Sequence, residues 1–180
     1  MSDTNKVEDI SVWLKRLCIS EKFYPKKSGM IFQFDGRHRF LSNFYKHKMT
    51  FENVVYATSE HAFQAAKCPN TDEGQQYKRM IIECAEPGEA KRRGRECPIR
   101  EDWDKVKVKI MREILRIKFS DPYLKDLLFS TENDYLVEGT LWHDNFYGIC
   151  ILKNCSKCKN QKGHNHLGEI LMEVREEKQR

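Results

Sequence analysis

The chain has 180 residues, enough for one domain with a real core and short for two. Charged residues make up 33% and hydrophobic ones 39%, no apolar run is long enough to span a bilayer, and the polar start from Met1 to Asp9 lacks a signal-peptide core, so neither a membrane nor a secreted protein is expected. The seven cysteines are expected as thiols in a reducing cytoplasm, and 32 basic against 27 acidic residues, a net +5, suits phosphate-bearing ligands without demanding a nucleic-acid-binding role.

Val7 to Cys18 carries Val7, Ile10, Val12, Trp13, Leu14 and Leu17 at amphipathic spacing, which predicts a short helix packed on the domain or on a partner. With the basic connector Pro25 to Gly29 it forms a helical extension over residues 1–30, ahead of a domain over 31–178. Ile31 to Phe34 reads as a strand closed by the hairpin pair Asp35-Gly36, with Arg37 to Phe40 running back. Phe44 to Tyr56 is rich in aromatic and β-branched residues, with Glu52-Asn53 as its turn. At Thr58-Ser59 a hydroxyl can cap a helix, and Glu60 falls in its first turn, where the macrodipole favours a carboxylate. Glu60, Phe63, Gln64 and Lys67 then share one helix face.

Cys68-Pro69-Asn70 stops that helix, and Thr71-Asp72 starts another through Tyr77, Met80 and Ile81 to Cys84. Pro87 opens a short helix through Lys91, with Gly94 at its end. Trp103, Val106, Ile110, Ile114 and Ile117 form the longest apolar stripe, with Asp102 as cap. Asp121-Pro122 begins a helix that turns Tyr123, Leu124, Leu127 and Leu128 inward. Tyr135 to Val137 is a strand, Glu138 to Asn165 has no period and reads as a long functional loop, and Leu167, Ile170, Leu171 and Val174 mark a final helix. These elements make a single compact α+β domain, predominantly helical, with a small antiparallel sheet.

Ser42-Asn43-Phe44 and Thr58-x-Glu60-His61-x-Phe63-Gln64-Ala65-x-Lys67 resemble the signature of the NADAR superfamily, the YbiA-like N-glycosidases. Pro87-x-x-Ala90-Lys91-x-x-Gly94-Arg95, Asp102-Trp103, Lys118-Phe119, Trp142 and Asn165-x-Leu167-Gly168-x-x-Leu171-Met172-x-x-Arg175 extend the likeness from about Ile31 to Arg175. The sequence departs from the family at Tyr56-Ala57, where Trp-Pro is usual, and at Trp142-His143-Asp144-Asn145, where a Trp-Gly-rich turn is usual. Both departures leave Glu60 in place and put the shape of the substrate in question.

An N-glycosidase builds positive charge on the sugar and negative charge on the leaving base, so it needs a carboxylate, a platform for the base and cations for phosphate. The resemblance assigns the catalytic carboxylate to Glu60, which on position alone would only complement the helix dipole. His61 is given a supporting role, and Asp144 is the second carboxylate, which assists the chemistry or orients a ribose hydroxyl. Asn43 is a contact to ribose or base, or a residue that satisfies its own turn. Trp103 is a stacking platform or a core anchor, and Trp142 is the second aromatic candidate. Lys91 and Arg95 are assigned to phosphate or pyrophosphate, Arg92 and Arg93 to solvent. Asn165 caps the last helix, contacts the ligand, or does both.

Cys155-x-x-Cys158, with Cys150 upstream and His164 and His166 downstream, is similar to a zinc knuckle, since three thiols and one imidazole would close a tetrahedral site. The family resemblance requires no metal, so neither metal nor cofactor is expected. The implied substrate is a small phosphorylated ribosyl or ADP-ribosyl compound. It is either a ribosylamino-pyrimidine of the riboflavin pathway or ADP-ribosylated guanine, which would bring nucleic acid in as a partner. Two rivals are a non-catalytic ADP-ribose or nucleotide reader, with Glu60 on a ribose hydroxyl, and a zinc-dependent nucleic-acid-binding module built on the cysteine loop.

Overall fold

The computed structural model describes residues 29–152, 155–158 and 161–179, so the helix expected over Val7 to Cys18 lies outside the described residues. In chain order the elements are β1 (Met30–Phe32), a 3-10 turn (Gly36–Leu41), β2 (Met49–Phe51), β3 (Val54–Tyr56) and α1 (Ser59–Ala66). They continue with α2 (Asp72–Glu83), α3 (Pro87–Glu96), α4 (Trp103–Lys118), α5 (Pro122–Phe129), β4 (Tyr135–Val137), β5 (Gly139–Thr140), β6 (Ile149–Cys150) and α6 (His166–Gln179). The fold is α+β and mainly helical. By contact the described residues divide into a larger unit, 34–132 with 170–179, and a smaller one, 29–33 with 133–169.

In the larger unit β2 and β3 pair antiparallel, Met49 opposite Tyr56 and Phe51 opposite Val54. Glu52 and Asn53 both take left-handed backbone, φ 49° and 62°, the two-residue turn whose twist matches a hairpin. Chain reversal there sends Tyr56 inward and delivers Thr58, whose hydroxyl accepts the His61 N–H and caps α1. All eight residues of α1 are buried, because it packs on α2, α3, α4 and β3. Ala62, Ala65 and Ala66 are the small side chains that let those neighbours approach.

Each neighbouring helix starts for a local reason. Thr71 caps α2 by accepting the Gly74 N–H, Pro87 occupies the first position of α3, and Asp121 caps α5 through the Leu124 N–H. Helix α3 runs past Lys91 to Glu96, so Gly94 is an interior residue and not its C-cap. A Cβ at Gly94 would meet Gln64 Oε1 at 2.1 Å, so it is the absence of a side chain that lets α3 lie against α1. Helix α4 buries Trp103, Ile110, Met111, Ile114, Leu115 and Lys118, while Val106 and Ile117 are half-buried. Asp102 does not cap it, because Arg100 takes the carboxylate at 2.5 and 2.9 Å and a charged, forked donor outcompetes a backbone N–H. In α5 Leu124 and Leu128 point inward at four-residue spacing, which leaves Tyr123 about a quarter-turn round the helix and exposed. Arg112–Glu173 and Arg116–Glu177 tie the C-terminal part of α6 to α4.

The hairpin expected at Asp35-Gly36 is replaced by the 3-10 turn. Phe40 and Leu41 are adjacent and both buried, which a tight helical turn allows and the two-residue period of a strand does not. In the smaller unit β1 instead pairs in parallel with β4, Met30 opposite Tyr135 and Phe32 opposite Val137. Tyr135, Leu136 and Val137 are all buried, the pattern of a strand covered on both faces. A second parallel pair, β5 with β6, is the regular structure within the long loop among the described residues. Gly168 admits the start of α6 beside β4, where a Cβ would meet the Leu136 carbonyl at 2.1 Å.

Candidate active site

Glu60 is only 5% exposed and lies in the first turn of α1, where the dipole favours a negative group. Its Oε1 accepts a hydrogen bond from Gln64 Nε2 at 2.6 Å. Gln64 Oε1 accepts from Lys67 Nζ at 3.0 Å, and Lys67 also donates to the Gly94 carbonyl at 2.8 Å. The ammonium therefore fixes which end of the Gln64 amide faces the carboxylate. Burial lowers the pKa of Lys67 and the nearby Arg95 charge adds to this, while the negative charge of Glu60 is the largest influence against it. The line Lys67–Gln64–Glu60 holds a buried carboxylate in one direction.

His61, beside it, is fully buried and spent on structure. Nδ1 meets the Thr58 hydroxyl at 2.8 Å and Nε2 the Cys84 carbonyl at 3.1 Å. Burial pushes the imidazole below its ordinary 6.5, against the Cys84 hydrogen bond and the charges of Glu86 and Glu89. This agrees with a supporting role.

Asn43 is joined to Glu60 by the backbone, the Glu60 N–H donating to the Asn43 carbonyl at 3.0 Å. Its side chain is buried, with Nδ2 against Met111 Sδ at 3.4 Å. Oδ1 has no hydrogen-bond partner among the described residues. The segment is anchored from below by Lys118, almost fully buried, whose Nζ donates to the Ser42 carbonyl at 2.8 Å and lies 5.8 Å from the Tyr45 ring centre. A buried ammonium is held only by such acceptors.

Lys91 is half-buried, with its Nζ 5.6 Å from the centre of the Phe44 ring, and Arg95 is exposed one turn further along α3. Arg93 pairs with Glu96 and Arg92 faces solvent. Trp103 is 9% exposed and packs on Phe63 at 5.0 Å between ring centres, tilted by 53°. The larger unit thus brings together Glu60, Asn43, Lys91, Arg95 and Trp103 from four stretches of sequence. Sequence reasoning left Gln64, Lys67 and Lys118 out of the site. The first two were visible as members of the Glu60 face. Lys118, at the end of an apolar stripe, gave the signal of a charge on the buried face.

The remaining candidates lie in the smaller unit. Trp142 is about half exposed. Asp144 Oδ1 accepts the N–H groups of Phe146 and Tyr147 at 3.0 and 2.9 Å, so this carboxylate closes its own turn. Asn165 is fully buried with left-handed backbone, φ 53°. Its Nδ2 donates to the Leu136 carbonyl at 2.8 Å and its Oδ1 accepts the Glu138 N–H at 3.0 Å. The amide bridges β4 and the start of β5 and is not a helix cap. The imidazole that meets the cysteines is His143, whereas His164 and His166 stack on each other at 5.4 Å.

The N-glycosidase Npun_R5314 of Nostoc punctiforme is 37% identical over 141 residues, covering 76% of this chain and 83% of its own. The N-glycosidase YbiA of Escherichia coli is 35% identical over 144 residues, covering 76% and 79%. The NMR structure of E. coli YbiA superposes with a TM-score of 0.67 and 30% identity, over 87% of this chain and 92% of that one. The riboflavin biosynthesis protein PYRR of Zea mays is 32% identical over 151 residues, which are 76% of this chain and 23% of that longer protein. The fold and these relatives together define an enzyme of the N-glycosidase class. The NADAR domain family matches residues 23–178, and the chain belongs to that family.

Proposed function

We propose that this enzyme hydrolyses the N-glycosidic bond of phosphorylated ribosyl-nucleobase compounds, with Glu60 as the carboxylate that serves the sugar carbon. The observation that carries this reading is the buried Glu60, aimed by Gln64 and bonded through its backbone N–H to Asn43, whose buried Oδ1 has no partner among the described residues. Buried polar atoms are nearly always satisfied, so Oδ1 is accounted for by a hydroxyl arriving with a ligand. In that arrangement Asn43 accepts from a ribose hydroxyl. Glu60 then stabilises the cation that forms at C1′ as the base departs, or takes a proton from the attacking water. Lys91 and Arg95 supply charge for phosphate, and Trp103 offers a ring edge to the base.

The name of the maize relative supports ribosylamino-pyrimidine phosphates of riboflavin biosynthesis as the first substrates to test, ahead of ADP-ribosylated guanine. Among the described residues no helix is long and apolar enough to cross a membrane, and the thiol-rich composition suits a reducing cytoplasm. The test is to incubate the full chain with both substrate classes and measure free base and sugar by mass spectrometry. Glu60→Gln keeps the size of the side chain and an oxygen for Gln64. It is expected to fold with near-native thermal stability, to bind product, and to lose single-turnover rate by about a hundredfold or more. A folded Glu60→Gln protein with near wild-type rate would reject the assignment and make Asp144 the carboxylate to test. Binding of either class without turnover by wild type would point to a reader.

A further inference from the structure

Three thiols and an imidazole converge in the loop between β4 and α6, and the glycosidase reading uses none of them. His143 Nδ1 lies 3.0 Å from Cys155 Sγ, 3.7 Å from Cys158 Sγ and 3.8 Å from Cys150 Sγ. The four donor atoms all fall within 4.8 Å of one another. Hydrogen bonding does not account for this, since one imidazole nitrogen offers a single hydrogen or a single lone pair and cannot serve three sulfurs. One disulfide would satisfy two thiols and strand the third. A tetrahedral zinc ion has zinc–sulfur bonds of about 2.3 Å and zinc–nitrogen bonds of about 2.0 Å, which separate sulfurs by about 3.8 Å and sulfur from nitrogen by about 3.6 Å. The three nitrogen–sulfur spacings, 3.0 to 3.8 Å, bracket the nitrogen–sulfur value, and the sulfurs fall within 4.8 Å of one another. The geometry points to a structural Zn2+ site ligated by His143, Cys150, Cys155 and Cys158.

The local backbone is built for such a site. Cys158 N–H donates to the Cys155 carbonyl at 3.2 Å, and this turn sets the two thiols of the C-x-x-C on one side. Cys150 ends β6, and its N–H donates to Asn145 Oδ1 at 2.8 Å. His143 is in left-handed backbone, φ 66°, a conformation that is unfavourable for a non-glycine residue and persists where something holds it. Four protein ligands complete the coordination sphere and leave no open position, so the role is structural. Loading releases the three thiol protons to solvent and needs no oxidant. The resulting site carries one net negative charge, in a loop whose sequence also contains Lys153, Lys157, Lys159 and Lys162. Zinc would clip together a segment with little regular structure, and folding and metal affinity would be linked there. That segment also carries Asp144, next to the ligand His143.

The test uses the full chain, purified under reducing conditions after expression with added zinc. Elemental analysis is expected to find about one zinc per chain. Cobalt(II) added to the stripped protein should give the thiolate charge-transfer and intense visible bands of a tetrahedral sulfur-rich site. The Cys155→Ser/Cys158→Ser variant should lose the metal and His143→Ala should weaken its retention, whereas His164→Ala and His166→Ala keep it. Because the cysteine variant could fail to fold, thiol titration of wild type gives an independent reading, with three more reactive thiols after chelation than before. Wild type that takes up neither zinc nor cobalt once reduced would overturn the site. So would stoichiometric zinc that survives in the cysteine variant, or that is lost with His164→Ala and kept with His143→Ala.

Discussion

Gly94→Ala is the smallest change that reaches Glu60 without touching it. A Cβ at Gly94 meets Gln64 Oε1 at 2.1 Å, Cδ at 2.8 Å and Cβ at 2.9 Å. The first two atoms belong to a side chain that can turn aside. The third is fixed to the α1 backbone, so α3 has to back away as well. Alanine favours the helix over glycine by about 1 kcal/mol, and overpacking of this kind costs about 1–3 kcal/mol. The net is a destabilisation of roughly 0–2 kcal/mol, or about 0–8 °C in Tm for a chain of this size. Activity is expected to suffer more. Gln64 is what holds Glu60 at 2.6 Å, and it is itself held by Lys67, which also bonds the Gly94 carbonyl. Displacing that amide by about 1 Å misaims the carboxylate, and a misplacement of that order costs about a hundredfold in rate. The assay pairs a thermal melt with single-turnover hydrolysis. Adding Gln64→Ala removes the clashing Oε1 and Cδ and leaves Cβ, so the double variant should regain part of the stability lost in Gly94→Ala and recover no activity. A Gly94→Ala protein with raised Tm and wild-type turnover would refute both the close approach and the positioning role of Gln64.

His61 makes stability depend on pH. Burial depresses its pKa in the folded state, so the unfolded chain binds the extra proton; stability is fully present above the unfolded value of 6.5 and is lost as pH falls through the folded one. Urea unfolding between pH 8 and 5 should show stability falling as pH drops, by at most about 1.4 kcal/mol per pH unit for one proton, and this fall should be flattened in His61→Gln; equal slopes in the two proteins would dismiss His61 as the cause. Trp103→Phe should keep the contact with Phe63 and much of the substrate binding. Trp103→Ala should lose about 3–5 kcal/mol of stability together with binding, and equal activity in wild type and the Ala variant would remove the stacking role.

Local rules carried the larger unit a long way. The Glu52-Asn53 turn, the Thr58 cap and the helix starts at Thr71, Pro87 and Asp121 each depend on residues within four positions, and each stands as read. What failed were choices decided by distant partners. Asp35-Gly36 has hairpin chemistry, yet the strand before it pairs with Tyr135 to Val137 about a hundred residues on. Asp102 has capping chemistry, yet Arg100 claims its carboxylate. Gly94 looked like punctuation because sequence shows a missing side chain and not the helix that fills its space.

The same division runs through the site. A single helix turn placed Glu60, Gln64 and Lys67 on one face, so their neighbourhood was legible. Which end of the Gln64 amide meets Glu60 was not, because that depends on Lys67 being tied across to the Gly94 carbonyl of another helix. Asn43 was legible as a turn residue, but not the burial of its side chain against Met111, with Oδ1 lacking a partner among the described residues. In the cysteine loop the three thiols were identifiable by spacing, but the imidazole was sought downstream, at His164 and His166. It comes from upstream because His143 adopts left-handed backbone and Asn145 accepts from the Cys150 N–H, folding the loop back on itself. In both places the reactive residue type was readable and its direction was not. Direction is what separates an acid that complements a helix dipole from one that can serve a sugar carbon, and it is set by contacts that no short motif contains.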